Sequence, residues 1–316
     1  MQIWKKSPLD GILVALSVGQ FTAMVAMAAL FGQMAPWVKV VTGLTLPVMM
    51  AYNIIVITHL VTHSPWFADR RLNSAVSILN SLNIGQSVMA YQLTHVRNHH
   101  RFNNDPLQAD GTTRDITSTY RGGRDGNHAP MLRYSVGGAA ESLIGRAREF
   151  LSATRLWRVG SGEQVLLSLV SPRDPRRGRE LGQIQLDRAA HSLSLIVFAA
   201  ISWQWTLACY LPAFFLALTM VNVQNYYRHY GANPDDRAAD SVSHYGRLYN
   251  LLSFNDGYHQ EHHLNPTAHW SQLPAVRERA RVRLDSTERI ISPVPAMLGF
   301  LHTRRALLHT TTRESA

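Results

Sequence analysis

Charged side chains are missing from four long stretches of this 316-residue chain, and that absence constrains what it can fold into. No Asp, Glu, Lys or Arg occurs in 11–38, 40–68, 72–94 or 189–227, runs of 28, 29, 23 and 39 residues. A helix needs roughly 20 apolar residues to cross the hydrocarbon core of a bilayer. Backbone in lipid must also satisfy its own hydrogen bonds, which a helix does within itself. Only 16% of the residues are charged, against about 25% in soluble domains. An ordinary soluble enzyme is excluded, and the expected fold class is all-α and integral to a membrane.

Lys5 and Lys6 precede the first run, so a cleavable signal peptide ending near Ala26-Met27-Ala28 is one reading. A second apolar run through Val40–Ile57 follows at once, with a turn at Gly32–Pro36 between them. A helical hairpin with both ends in the cytoplasm accounts for this better. The 39-residue run reads as two short helices turning near Ser202–Thr206 rather than one tilted span. About four transmembrane helices are therefore expected, at roughly 11–32, 37–60, 190–203 and 206–223. A cytosolic helical cap from 95–188 and 224–316 would complete a single domain over 1–316. The stretch 72–94 lacks charge but carries Asn73, Ser74, Asn80, Ser81, Asn83 and Gln86. It reads as an interfacial or bundle-lining helix, not a span. Apolar positions from Met131 to Val170 recur loosely at helical spacing, as in amphipathic helices on the membrane surface.

The net charge of +10 comes from three lysines and 28 arginines. In a membrane protein such loops mark the cytoplasmic side. No basic stripe interleaved with aromatics appears, so a nucleic-acid partner is not expected. One cysteine, Cys209, rules out an intramolecular disulfide framework, thiolate zinc sites and cysteine-held iron–sulfur clusters. Fifteen histidines are the compositional anomaly. Any transition metal here would be held by imidazole, which suits iron, zinc or copper.

Eight of those histidines fall into three compact groups. His59-Leu-Val-Thr-His63 ends the second span, and its i, i+4 spacing puts both rings on one helix face, about 5–6 Å apart at Cβ. His95-Val-Arg-Asn-His99-His100 repeats that spacing and adds a neighbouring imidazole. His259-Gln-Glu-His262-His263 has i, i+3, i+4 spacing. A ninth, His229, lies in Asn225-Tyr-Tyr-Arg-His229-Tyr-Gly231, directly after the last span. One such group is often only a cluster of surface histidines. Four imidazoles usually suffice for one zinc ion, so nine at the membrane boundary imply two metal ions.

In the order HLVTH, HVRNHH and HQEHH, the chain resembles the integral-membrane, non-haem di-iron fatty acid desaturase and hydroxylase superfamily, whose pattern is HxxxH, HxxxHH and HxxHH. Three segments, HVRNHHRFNNDP, NYYRHYG and NLLSFNDGYHQEHHLNP, are similar to the alkane ω-hydroxylase branch. GYHQEHHLNPTAHWSQLP also resembles carotenoid ketolases and acyl-lipid desaturases. The likeness is good over roughly 52–110 and 220–275. Leu60 stands where the first box of the family often has an acidic residue, and the chain is short for the six-span alkane hydroxylase layout.

The resemblance implies metal ligands at His59, His63, His95, His99, His100, His229, His259, His262 and His263, two iron ions as cofactor and O2 as co-substrate. It implies a desaturase acting on an unactivated C–H/C–C unit of an acyl-lipid or similar aliphatic substrate. A hydroxylase of an alkane, fatty acyl or terpenoid substrate is the alternative, as is a desaturase of a smaller amino-acid-derived metabolite. Glu261, Asp105, Asn255 and Asp256 are candidates for the acceptors that fix ring tautomers. His128, His191, His244, His269, His302 and His309 read as surface or core histidines, with His244 close enough to the boxes to merit mutation. Electrons would come from a ferredoxin, rubredoxin or cytochrome b5-like donor, steered to the arginine-rich face. The expected location is a bacterial inner membrane, with the active site on the cytoplasmic side and membrane lipid around the spans. A zinc hydrolase would show three ligands and an open position, not nine. A histidine-rich metal transporter would carry its histidines at bilayer depth.

Overall fold

The computed structural model of the protein describes residues 2–153 and 161–309, whose regular structure is helical. The helices are α1 (Asp10–Leu30), α2 (Pro36–Tyr52), α3 (His59–His63), α4 (Arg70–Ile84), α5 (Val88–Thr94), α6 (His100–Phe102), α7 (Gly138–Ala153), α8 (Ser161–Ser168), α9 (Arg177–Trp205), α10 (Leu211–His229), α11 (Arg247–Leu252), α12 (His259–Leu264), α13 (Leu273–Arg279) and α14 (Arg281–Ser286). No strand forms among the described residues, only two isolated bridges. The expectation of helices over 131–170 is met by α7 and α8, while 154–160 lie outside the described residues. The chain divides into two compact units: Met1–Thr94 with Ala139–Thr219, and His95–Gly138 with Met220–Ala316.

The first unit holds the apolar helices. Among the described residues, three stretches are long and apolar enough to cross a membrane: Asp10–Gln33, Pro36–His63 and Arg177–His229. The third, at 53 residues, is too long for one crossing. Its backbone breaks at Ser202 (φ −156°, ψ 97°). In a straight helix His191 and Tyr210 would stand about 28 Å apart at 1.5 Å per residue. Instead His191 Nε2 lies 3.0 Å from the Tyr210 hydroxyl. Phe198 also packs against both Trp205 and Tyr210, with ring centroids 5.2 and 5.8 Å away. The stretch therefore folds back on itself as two antiparallel helices, with the turn where the sequence placed it.

The polar residues of α4 explain why that helix is uncharged yet not a span. Asp69 caps its N-terminus, accepting from the Arg71 and Leu72 amides at 2.7 and 3.0 Å. Gly85 ends it at φ +74°, where a Cβ would lie 2.7 Å from the Phe214 ring. Between these ends its Asn and Ser side chains point into the unit. Asn53 donates to Gln20 Oε1 at 2.9 Å and to Asn80 Oδ1 at 3.1 Å, and accepts from Thr58 at 2.8 Å. Gln20 donates to the Asn83 carbonyl, and Asn83 to that of Ser17. This ladder joins α1, the second apolar stretch and α4. Of the two readings of 72–94, bundle-lining is the one the structure shows.

A second polar knot surrounds Asp187 on α9, which is fully buried. Its carboxylate accepts from Ser77, Ser87, Gln183 and the Met89 amide. The Ser87 and Met89 bonds sit at the start of α5, the helix that leads into His95.

Asn53→Ala would leave Gln20 Oε1, Asn80 Oδ1 and the Thr58 hydroxyl short of a partner. Roughly 1–3 kcal/mol is expected per orphaned buried group. The unfolding midpoint in detergent should fall clearly, whereas exposed Val48→Ala should barely move it. Equal midpoints for the two variants would contradict the ladder's role.

Candidate metal centre

The sequence-predicted histidines fall in both units. In the first, His59 and His63 lie on adjacent turns with ring centroids 5.2 Å apart. A π-helical segment, Asn53–Thr58, precedes them, and Asn53 ties it to the polar ladder. The other seven lie in the second unit.

There they form two sets. His100 Nε2 lies 3.1 Å from both His95 Nε2 and His262 Nε2. Imidazoles around one ion, at metal–nitrogen distances of about 2.0–2.1 Å, bring their donor atoms to about 3.0–3.4 Å of one another. The second set is His99, His229 and His263, whose ligand nitrogens lie within 4.8 Å of one another. His259 Nε2 approaches His229 Nε2 at 3.4 Å. Six of these seven rings are buried, and His95 is half-buried.

The tautomers suit metal binding. The Asp240 carbonyl can only accept, so His229 Nδ1 at 3.0 Å must carry the proton and Nε2 the lone pair. Asp115 faces His99 Nδ1 at 2.8 Å. His99 Nε2 is then buried with no hydrogen-bond partner, which fits a nitrogen that ligates a metal. Burial, followed by the Arg228 cation and the surrounding imidazoles, holds His259 neutral far below the usual histidine range. A neutral ring is the form that ligates.

Backbone geometry puts these groups in place. After α6 the chain passes through two left-handed residues, Asn103 (φ 46°) and Asn104 (φ 62°). Asparagine tolerates this conformation better than most residues. The turn lets the Asn104 amide donate to Asp115, and Asn104 Oδ1 accept from Thr119. Asp105 then takes the Asp115 and Arg114 amides at 2.8 and 3.1 Å. A second left-handed pair, Phe254 and Asn255, precedes α12. On α12 the two non-histidine positions of HQEHH face the loop 237–245. Gln260 donates to the Arg237 carbonyl and Asp240 and accepts from the Ser241 amide. Glu261 accepts from Ser243 and Tyr245.

Of the four expected acceptors, Asp105 thus acts one step away, through Asp115. Glu261 anchors α12, Asn255 donates to the Trp270 carbonyl, and Asp256 pairs with Arg228 and accepts from Tyr249. Asp115 and Asp240 were missed, because neither lies in a histidine motif. Asp115 is 16 residues from His99. Burial opposes ionisation of Asp115, yet His99 and the Thr117 hydrogen bonds hold its carboxyl well below the usual range. Burial pushes the Asp240 carboxyl up to about 6, against hydrogen bonds from Gln260 and Ser241. Four of the six remaining histidines are held elsewhere: His128 by Tyr120 and Thr119, His191 by Tyr210 and Arg146, His244 by the Ser292 carbonyl and His269 by Ser271.

Comparison with known proteins agrees with this geometry. A family model described as fatty acid desaturase matches residues 35–292, most of the chain. The chain belongs to the fatty acid desaturase family. A sphingolipid delta(4)-desaturase of Komagataella phaffii (strain GS115 / ATCC 20864) is 33% identical over 90 residues, which cover 28% of this chain and 25% of that relative. Membership supports an oxidoreductase of the desaturase and hydroxylase type in a membrane, with the histidine boxes of the family.

Tyr245→Phe removes the hydroxyl that donates to Glu261 and accepts from Arg277 and Arg289 at 3.1 and 3.0 Å. Burial, then the Glu261 carboxylate, pushes this phenol up, so it remains a donor across the physiological range. The variant should lose roughly 1–3 kcal/mol of stability while binding metal as before. An unchanged thermal midpoint would show that α12 does not depend on this anchor.

Proposed function

We propose that the chain is an O2-dependent, di-iron desaturase of an acyl-lipid or similar aliphatic substrate. The observation that carries this reading is the close gathering of seven histidines, six of them buried, within the second unit of a membrane protein of this family. The proposed ligands are His59, His63, His95, His99, His100, His229, His259, His262 and His263. Bound iron would supply reductive activation of O2 and an oxidant able to take hydrogen from an unactivated C–H bond.

The chain's own contribution is to orient the rings and keep bulk water from the buried nitrogens. Nine uncharged ligands leave all compensating charge to residues further out. Asp115 and Asp240 provide it next to the rings. Arg228 and Asp256 are already paired with each other. The apolar helices favour a substrate that arrives from lipid.

A hydroxylase of the same family is the second reading, favoured by the likeness of NYYRHYG and HVRNHHRFNNDP to the alkane ω-hydroxylase branch. Both readings need electrons from outside, from a ferredoxin, rubredoxin or cytochrome b5-like carrier. Four crossings, a bacterial inner membrane and a cytoplasmic site complete the proposal, with one desaturase domain over the whole chain. Arg279, Arg281 and Arg283 stand exposed on α13 and α14, a suitable face for an acidic donor.

Expression with a redox donor, followed by mass spectrometry of lipids and small metabolites, tests the proposal. Loss of two hydrogens marks desaturation, and gain of one oxygen marks hydroxylation. Purified protein should carry about two irons per chain, and zinc alone would overturn the di-iron reading. His262→Ala should abolish turnover while the protein remains in the membrane; full activity would remove His262 from the ligand set. Donor-dependent reduction should slow as salt rises through the range where the Debye length falls below about 10 Å. A salt-independent rate would argue against an electrostatic docking face.

A further inference from the structure

We propose that Asp115 and Asp240 are positioning residues that turn His99, His229 and His263 into a cradle for one divalent ion, complete within the second unit. This inference rests on the di-iron reading and assigns roles that the histidine boxes do not. Each ring has its Nδ1 side set against an oxygen. His99 Nδ1 lies 2.8 Å from Asp115, His229 Nδ1 lies 3.0 Å from the Asp240 carbonyl, and His263 Nδ1 lies 3.4 Å from Asp240 Oδ1. One aspartate thus addresses two rings, one with its backbone and one with its side chain. His99 and His229 are thereby set to present Nε2, and His263 lies with Nδ1 towards Asp240.

The acceptors are themselves fixed. Asp115 is fully buried and takes hydrogen bonds from the Thr117 amide and hydroxyl and from the Asn104 amide. Thr117 Oγ1 lies 3.2 Å from His99 Nδ1, but its proton goes to Asp115 at 2.7 Å. His99 Nδ1 therefore meets only acceptors and carries the ring proton, with the carboxylate the nearer of them. Asp240 is held by Ser241 and Gln260 at 3.2 and 3.1 Å, and Gln260 is the neighbour of His259 on α12. The loop after His229 and the third box are locked together through this residue. Outer partners of ligating histidines typically change metal affinity 10–100-fold when removed.

The test uses the full chain, stripped of metal in detergent and titrated with Co2+ without oxygen, following the visible absorption of the histidine-bound ion. The wild type should take two ions. Asp115→Ala should weaken one of them 10–100-fold and leave the other unchanged. His99→Ala should weaken that same ion, which identifies it. Asp240→Ala should weaken it less, because the backbone carbonyl that orients His229 survives. Asp115→Asn keeps an oxygen for His99 Nδ1 and should recover most of the affinity.

Asn98→Ala separates orientation from loop stability. It cuts two other bonds to the same loop, to the Arg114 carbonyl and from the Ile116 amide, without touching the His99 ring. Wild-type affinity for both ions in folded Asp115→Ala would overturn the proposal, as would an equal loss in Asn98→Ala. If Asp115→Ala does not fold, an Asp115→Asn protein that folds but fails to recover affinity would overturn it. A wild type that binds no ion would remove the di-iron reading and this proposal with it.

Discussion

An imidazole can bind a metal through one nitrogen only if its proton sits on the other, and something must hold the proton there. The centre of this protein depends on that constraint. A carboxylate and a backbone carbonyl fix two of the rings on the Nδ1 side, leaving Nε2 to face the other histidines. The carbonyl is the firmer guide, since it accepts at every pH. The carboxylate adds charge, which matters because neutral ligands leave the full charge of a bound ion uncompensated. Much of the loop structure around the site follows from supplying these two acceptors. The paired left-handed asparagines after the second box bring Asp115 back to it, and Gln260 holds Asp240 against the third.

The apolar unit obeys the same accounting with other groups. Inside lipid a polar side chain must find its partner within the protein. Gln20, Asn53, Asn80 and Asn83 do so by bonding to one another and to backbone carbonyls. The buried carboxylate of Asp187 is offset by three side-chain donors and one amide rather than by a cation. Hydrogen bonds within membranes are worth only about 0.6–2 kcal/mol each. Their larger effect here is on register: a slip of α4 by one residue would turn its Asn and Ser face towards lipid.

What could be read from the sequence, and what could not, follows from the range of each interaction. Apolar helical stretches depend on composition within one window, so the charge-free runs located the three long ones and the turn at Ser202. The histidine boxes depend on helical spacing, and within the second unit the histidines of the second and third boxes lie close to His229. Asp115 and Asp240 act across 16 and 23 residues, through loops with no periodicity. Proximity in sequence pointed instead to Glu261, which lies between two box histidines but accepts from Ser243 and Tyr245. A carboxylate inside HxxHH is on the helix face opposite the rings, so spacing alone argues against it as their partner. That reasoning was available from the 3.6-residue repeat.

The same geometry bears on why Gln260 and Glu261 are polar at all. Both are fully buried, where leucine would cost no desolvation. Three rings of α12 must all face one way, yet the helix has only six residues, of which Leu264 alone is apolar. Hydrogen bonds are directional and apolar packing is not. Two polar side chains anchored to the loop 237–245 fix the rotation that a short helix cannot fix by packing. Precision in the ring positions is thus obtained from the residues between the histidines.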